Sequence, residues 1–230
     1  MIYRLTKSKY ILGLQCEKAL YLDVYKPQLA FFPPETLNRF RKGREFESKI
    51  KALFPNAIDL SQQLRGSIQK YPELTQQILM QPGEANIYEA GFVYNEVLVL
   101  ADVVHKDTDG NISVYEIKNS LSVKDVFRND VGIQHYVIAN SLNTFFGEPR
   151  LESFKIIYND GNSSPLYEEM IHAARDAEPL VANNIERFKE ILQGFEPTKA
   201  MGEHCKTPYE CPYKKYCEGR ITSQAQLQMS

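Results

Sequence analysis

Two apolar runs, LVLADVVHK at 98–106 and SVYEIKNS at 113–120, have the composition of β-strands. Asp107-Thr108-Asp109-Gly110 lies between them, a turn composition that predicts a hairpin. Side chains alternate along a strand, so Glu116 and Lys118 share one face while Tyr115 and Ile117 take the other. The hairpin also brings Asp102 into the neighbourhood of Glu116.

The remaining pattern is mostly helical. Residues 8–22, with the first cysteine, predict a short helix; Pro27, Pro33 and Pro34 predict a loop, and a stronger helix follows at about 35–54. On that helix Phe40, Gly43, Glu47, Ile50 and Phe54 recur in steps of three and four. Glu47 therefore falls on the apolar stripe and Glu45 on the charged face. Arg39, Arg41, Lys42, Arg44, Lys49 and Lys51 predict a cationic outer face, a solvated surface or a phosphate track. A helix at 122–146 carries Phe127, Val131, Gln134 and Ile138 on one stripe, which directs Gln134 inward. A strand at 151–158 and a helix at 176–193 ending at Gly194 complete the pattern.

The 230 residues, 43% of them hydrophobic, suffice for one α/β domain with its own core. No apolar run approaches the roughly 20 residues that span a bilayer, so the expectation is no membrane partner and a cytoplasmic protein. The opening MIYRLTKSKYILGL lacks the apolar core of a signal peptide, and the cysteines are accordingly expected to be reduced. A formal net charge of −2 neither announces nor excludes a nucleic-acid binder. No nucleophile elbow and no Gly-rich phosphate loop with Lys-Ser/Thr is present, which sets aside a Ser or Cys triad and an ATP motor. His105, His135, His172 and His204 form no ligand spacing.

Asp102, Glu116 and Lys118 are the set that metal-assisted phosphodiester hydrolysis requires. Carboxylates offer hard oxygen ligands to Mg²⁺ or Mn²⁺, and a lysine steadies the attacking water or the developing charge. The competing reading is a solvated hairpin with a cross-strand ion pair, which contributes little. Lys124 and Arg128, just beyond the second strand, are placed to touch backbone phosphates. The four cysteines form a second constellation: Cys16 alone near the start, and Cys205, Cys211 and Cys217 spaced Cys-x5-Cys-x5-Cys near the end. Four thiolates suit a tetrahedral Zn²⁺ site or a [4Fe-4S] cluster, and spacing does not choose between them.

Asp102, Glu116-Ile117-Lys118, Asn119-Ser120 and the stretch SVKDVFRNDVGIQHYVI together resemble the core of the PD-(D/E)XK nuclease superfamily, in its RecB-like branch. Ala101 stands where the usual proline precedes the first acid. The resemblance implies metal ligation by Asp102 and Glu116, catalysis by Lys118, and Gln134 with Tyr136 near the substrate. GREFE occupies the place where many members read Gly-x-x-x-His, so Glu47 stands as the oxygen donor of the early helix. YILGLQCEKALYLDVYKP and GEHCKTPYECPYKKYC are similar to the opening and terminal signatures of the iron-sulfur members, the CRISPR-associated exonucleases and AddAB-type nucleases. This favours a [4Fe-4S] cluster on Cys16, Cys205, Cys211 and Cys217 over Zn²⁺.

The fold so implied is α/β: a restriction-endonuclease-like core with a central mixed β-sheet flanked by helices, and N- and C-terminal segments joined by the four-cysteine cluster. It is read as a single domain over 1–230, with a nuclease core at about 35–195 and cluster segments at about 8–26 and 200–220. The function implied is cleavage of DNA, single-stranded or with free ends, by an exonuclease, with protein partners in repair, recombination or defence. The alternative is a catalytically idle nucleic-acid-binding or partner-docking module.

Overall fold

The computed structural model describes residues 5–64, 67–159, 161 and 164–219. In chain order the elements are β1 (Leu5–Thr6), α1 (Lys7–Gln15), α2 (Glu17–Tyr25), α3 (Pro34–Lys51), β2 (Ile58–Asp59), α4 (Leu60–Leu64), α5 (Tyr71–Leu79), β3 (Ala85–Tyr94), β4 (Val97–Lys106), β5 (Ile112–Lys118), α6 (Val126–Phe146), β6 (Leu151–Tyr158), β7 (Leu166–Glu169), α7 (Ile171–Gln193) and α8 (Lys214–Cys217). The described residues form two compact units, each discontinuous: 5–7 with 40–181, and 8–39 with 182–219.

The first unit is α/β. Its mixed seven-stranded sheet runs β2-β3-β4-β5-β6-β7, with β1 added alongside β4. The predicted hairpin is present: β4 and β5 pair antiparallel from Lys106–Ile112 to Val103–Tyr115. Its turn closes because Asp107 Oδ1 accepts the backbone N–H groups of Asp109 and Asn111, at 2.9 and 2.8 Å, while Gly110 takes φ +86°. β3, which the sequence pattern does not predict, pairs antiparallel with β4 along nearly its whole length.

Helices cover both faces of this sheet. Ile50 of α3 packs with Val103, Ile117 and Ile157, supported by Phe46, Phe54, Tyr88 and Tyr115. Gln134, Val131 and Ile138 of α6 are buried, as the stripe predicts, with α6 lying against β3, β4 and β6. No helix among the described residues is long and apolar enough to cross a membrane.

Element ends differ from the pattern for local reasons. α3 stops at Lys51 rather than 54, because the Tyr88 hydroxyl takes the carbonyls of Lys51 and Phe54 and Pro55 follows. α6 begins at Val126 rather than 122. Ser120 Oγ donates to the Ser122 carbonyl at 2.9 Å, a local bond that competes with a helical turn. α7 begins at Ile171 rather than 176, its first N–H groups held by the Glu169 carboxylate. β6 spans Leu151–Tyr158 as predicted.

In the second unit the predicted helix at 8–22 is two helices. Cys16, with φ −160°, is extended between them and occupies the N-cap of α2. Segments from the two ends of the chain pack together in this unit. Phe31 N–H donates to Pro212 O at 2.8 Å, the Tyr213 hydroxyl donates to Asp23 Oδ1 at 2.8 Å, and Gln15 Nε2 donates to the carbonyls of His204 and Tyr209, each at 2.7 Å.

Candidate active site

The acids gather where β4 and β5 part. Their ladder ends at Val103–Tyr115, and beyond it Glu116, Ile117 and Lys118 pair only with β6. Asp102 Oδ2 fills the gap by accepting the Ile117 N–H at 2.7 Å. Glu116 is buried, with 2% of its side chain exposed. Lys118 Nζ lies 2.7 Å from Glu116 Oε1 and also binds Asp130. Gln134 Nε2 donates to Glu116 Oε2 at 2.8 Å, while Gln134 Oε1 is buried without a hydrogen-bond partner.

Glu47, Glu89 and Asp102 form a second group, with one carboxylate oxygen from each lying within 4.8 Å of the others. Glu47 is half-buried on α3, and Glu45 is exposed and paired with Arg41, as their stripes predict. Glu89 stands opposite Asp102: Tyr88 pairs with Val103 and Ala90 with Ala101, leaving these two without a ladder partner. Its backbone is left-handed, φ +57°, an unfavourable conformation for a glutamate that redirects the side chain within the strand. Lys51, expected on the outer cationic face, is turned inward instead. It sits one helical turn after Glu47, and its Nζ binds Glu47 at 2.6 Å and Glu89 at 2.8 Å.

Electrostatics separate the groups. Burial, then the charge of Glu116, raises Asp102 to about 7. Burial would also raise Glu116, but Lys118 and Lys7 more than offset it and lower Glu116 to about 2. Burial pulls Lys118 down, yet Glu116 and Asp130 hold it above the usual lysine range. Burial raises Glu89 despite its bond to Lys51. Asp102 is therefore the carboxylate least matched by a cation.

The structure thus brings Glu47, Asp102, Glu116, Lys118 and Gln134 together. Lys124 and Arg128 are exposed, with Arg128 Nε 3.6 Å from Asp125. Tyr136, two residues after Gln134, lies on another side of α6 and packs edge-on against Tyr94, at 5.4 Å between centroids. Sequence reasoning missed Glu89, Lys7, Lys51 and Asp130. Lys7 Nζ binds both oxygens of Glu116, at 3.0 and 3.1 Å. Only Lys51 carried a signal in the sequence, its i,i+4 spacing from Glu47.

In the second unit Cys16, Cys205, Cys211 and Cys217 all line one cavity, with Leu22 and Tyr213. All four are free thiols. Burial raises Cys211 to about 11, and the other three cysteines add to that effect.

No family model and no curated protein matches the sequence. A solved crystal structure, that of SSO0001, matches over 95% of this chain and 87% of its own, at 14% identity and a TM-score of 0.45.

Proposed function

We propose that the chain is a metal-dependent nuclease that hydrolyses DNA phosphodiester bonds, acting as an exonuclease on single-stranded or end-containing DNA. One observation carries the reading: Glu47, Glu89 and Asp102 converge within 4.8 Å beside a Glu116–Lys118 pair. The donor set fits Mg²⁺ or Mn²⁺, being hard carboxylate oxygen throughout. A cationic stand-in, the Lys51 ammonium, already lies between two of the acids. Glu47, Glu89 and Asp102, with Glu116 as the resemblance implies, would hold the ion. When bound, it supplies Lewis acidity that polarises the phosphate and acidifies a water.

The side chains divide the remaining work. Lys118 stays protonated between Glu116 and Asp130, so it offers positive charge to the developing phosphorane rather than accepting a proton. Gln134 orients Glu116. Lys124 and Arg128 are exposed cations available to backbone phosphates. The choice of DNA over other phosphodiesters rests on the RecB-like resemblance, as do a restriction-endonuclease-like core and the protein partners.

The four cysteines are proposed to hold a [4Fe-4S] cluster. Their common cavity and their soft donor chemistry support it, and Zn²⁺ is the alternative for the same donors.

Anaerobically purified protein incubated with end-labelled linear and closed circular single-stranded DNA, with and without Mn²⁺, tests the function. Linear DNA should be degraded only with Mn²⁺ and circles should resist. Asp102→Ala and Lys118→Ala should each abolish cleavage. Absence of Mn²⁺-dependent cleavage by folded wild-type protein would return the chain to the idle binding module.

A further inference from the structure

We propose that Lys7 is a positioning residue of this site, gripping both oxygens of Glu116 so that the carboxylate can take a divalent ion only by giving up a donor. The inference rests on the metal-dependent reading above. β1 sets the geometry: Leu5 pairs with Val97 and Thr6 with Leu98, in parallel. The next residue, Lys7, thereby arrives beside the stretch of β4 that β5 has left, with 21% of its side chain exposed.

Donor counting carries the argument. An ionised carboxylate offers about four lone-pair directions. On Glu116, Lys118 lies 2.7 Å from Oε1 and Gln134 2.8 Å from Oε2, while Lys7 bonds Oε1 at 3.0 Å and Oε2 at 3.1 Å. The carboxylate is saturated. Lys118 is also anchored by Asp130, and Gln134 Nε2 also reaches the Asp130 carbonyl at 3.2 Å. Both hydrogen bonds of Lys7 go to Glu116, one to each oxygen, so Lys7 can release one oxygen to an ion and keep its hold on the other.

Charge points the same way. Glu47, Glu89, Asp102, Glu116 and Asp130 face three ammonium groups, those of Lys7, Lys51 and Lys118, so two negative charges are left uncompensated when all are ionised. A divalent cation matches that excess. Removing Lys7 enlarges the excess and frees lone pairs on Glu116 together. Metal binding should strengthen while the orientation of Glu116 is lost.

The test is Mn²⁺ titration calorimetry alongside single-turnover cleavage of linear single-stranded DNA. Lys7→Met should bind Mn²⁺ about tenfold more tightly, a coupling of ordinary size for neighbouring charges, and cleave about tenfold more slowly with KM unchanged. Lys7→Arg, which keeps a two-pronged grip on a carboxylate, should restore wild-type Mn²⁺ affinity and turnover. A lysine that acted by its charge alone would raise metal affinity when removed without slowing the cleavage step. If Lys7→Met does not fold, Lys7→Gln, neutral but still a donor, should show the same rise in smaller measure. Unchanged or weaker Mn²⁺ binding by the folded variant overturns the role of Lys7. Failure of wild-type protein to bind Mn²⁺ or cleave overturns the metal-dependent reading itself.

Discussion

Asp102 Oδ2 and the Ile117 N–H are joined at 2.7 Å, so a carboxylate takes over at the point where the β4–β5 ladder stops. The bond fixes Asp102 to the strand that carries Glu116 and holds two acids close together. Their proximity is unfavourable when both are ionised, and burial together with the Glu116 charge raises Asp102 to about 7.

A pH-dependent stability follows for metal-free protein. Asp102 holds its proton more tightly folded than unfolded, where the carboxyl titrates near 3.8. Its stabilising contribution is thus present below about 3.8 and is lost as pH rises through about 7. Asp102→Asn keeps an acceptor for Ile117 but removes the charge. In EDTA it should melt a few degrees above wild type at about pH 8, with the gap closing toward about pH 4. Thermal melts across that range decide the matter; a gap independent of pH would clear the Asp102 charge of this effect.

Glu89 and Glu47 should behave as a pair. Each offers an oxygen to the group that includes Asp102, and each is bound to Lys51. Glu89→Gln and Glu47→Gln should each weaken Mn²⁺ binding by about tenfold in calorimetry, the loss of one charged ligand. Glu45→Gln, exposed and paired with Arg41, should leave it unchanged. Glu89→Gly adds a second readout. It should weaken Mn²⁺ binding as Gln does yet melt no lower than Glu89→Gln, because glycine relieves the left-handed backbone. Equal Mn²⁺ affinity in the Glu89 and Glu45 variants would remove Glu89 from the site.

Much of the site was legible because it is written in short-range pattern. Asp102, Glu116 and Lys118 sit on two strands joined by a turn whose residues announce it, and Gln134 and Glu47 lie on helical stripes with readable periods. Glu89 was not legible. Its strand has no clean alternation, and its carboxylate reaches Asp102 through a left-handed backbone that no glutamate advertises. Lys7 was hidden differently. A two-residue strand carries no periodic signal, and its pairing with Val97 and Leu98 spans more than ninety residues of chain. Lys51 was misassigned to the outer face although its spacing from Glu47 placed both on one side.

Packing behind the site should be intolerant at one glycine and permissive at another. A Cβ on Gly91 of β3 would lie 2.5 Å from Tyr71 Cβ and 2.9 Å from the Tyr71 carbonyl carbon, at the start of α5. Neither is a flexible side-chain tip, so Gly91→Ala should cost about 1–3 kcal/mol. Gly43, inside α3, has nothing within 4 Å of the same position. Gly43→Ala should stabilise by about 0.5–1 kcal/mol through helix propensity alone. Urea unfolding of both variants checks the contrast, and equal effects would mean that β3 and α5 do not pack as described.

The cysteines give the sharpest test of the second unit. Cys16 precedes the other three by nearly the whole chain, yet all four line one cavity. If they hold one cluster, protein made with iron available should be brown and contain about four irons per chain. Replacing any of Cys16, Cys205, Cys211 or Cys217 by Ala should lower both iron content and melting temperature, because a site absent from the unfolded chain contributes its binding free energy to folding. Cys16→Ala is decisive. Cys205, Cys211 and Cys217 lie close enough in sequence to gather metal locally, whereas Cys16 reaches them through tertiary packing, in which Gln15, Asp23 and Phe31 bond the C-terminal segment and Ala19 and Leu22 pack with Cys211 and Tyr213. Full iron and unchanged melting in Cys16→Ala would exclude Cys16 from the cluster, and stoichiometric zinc without iron in anaerobic protein would assign the four thiolates to Zn²⁺.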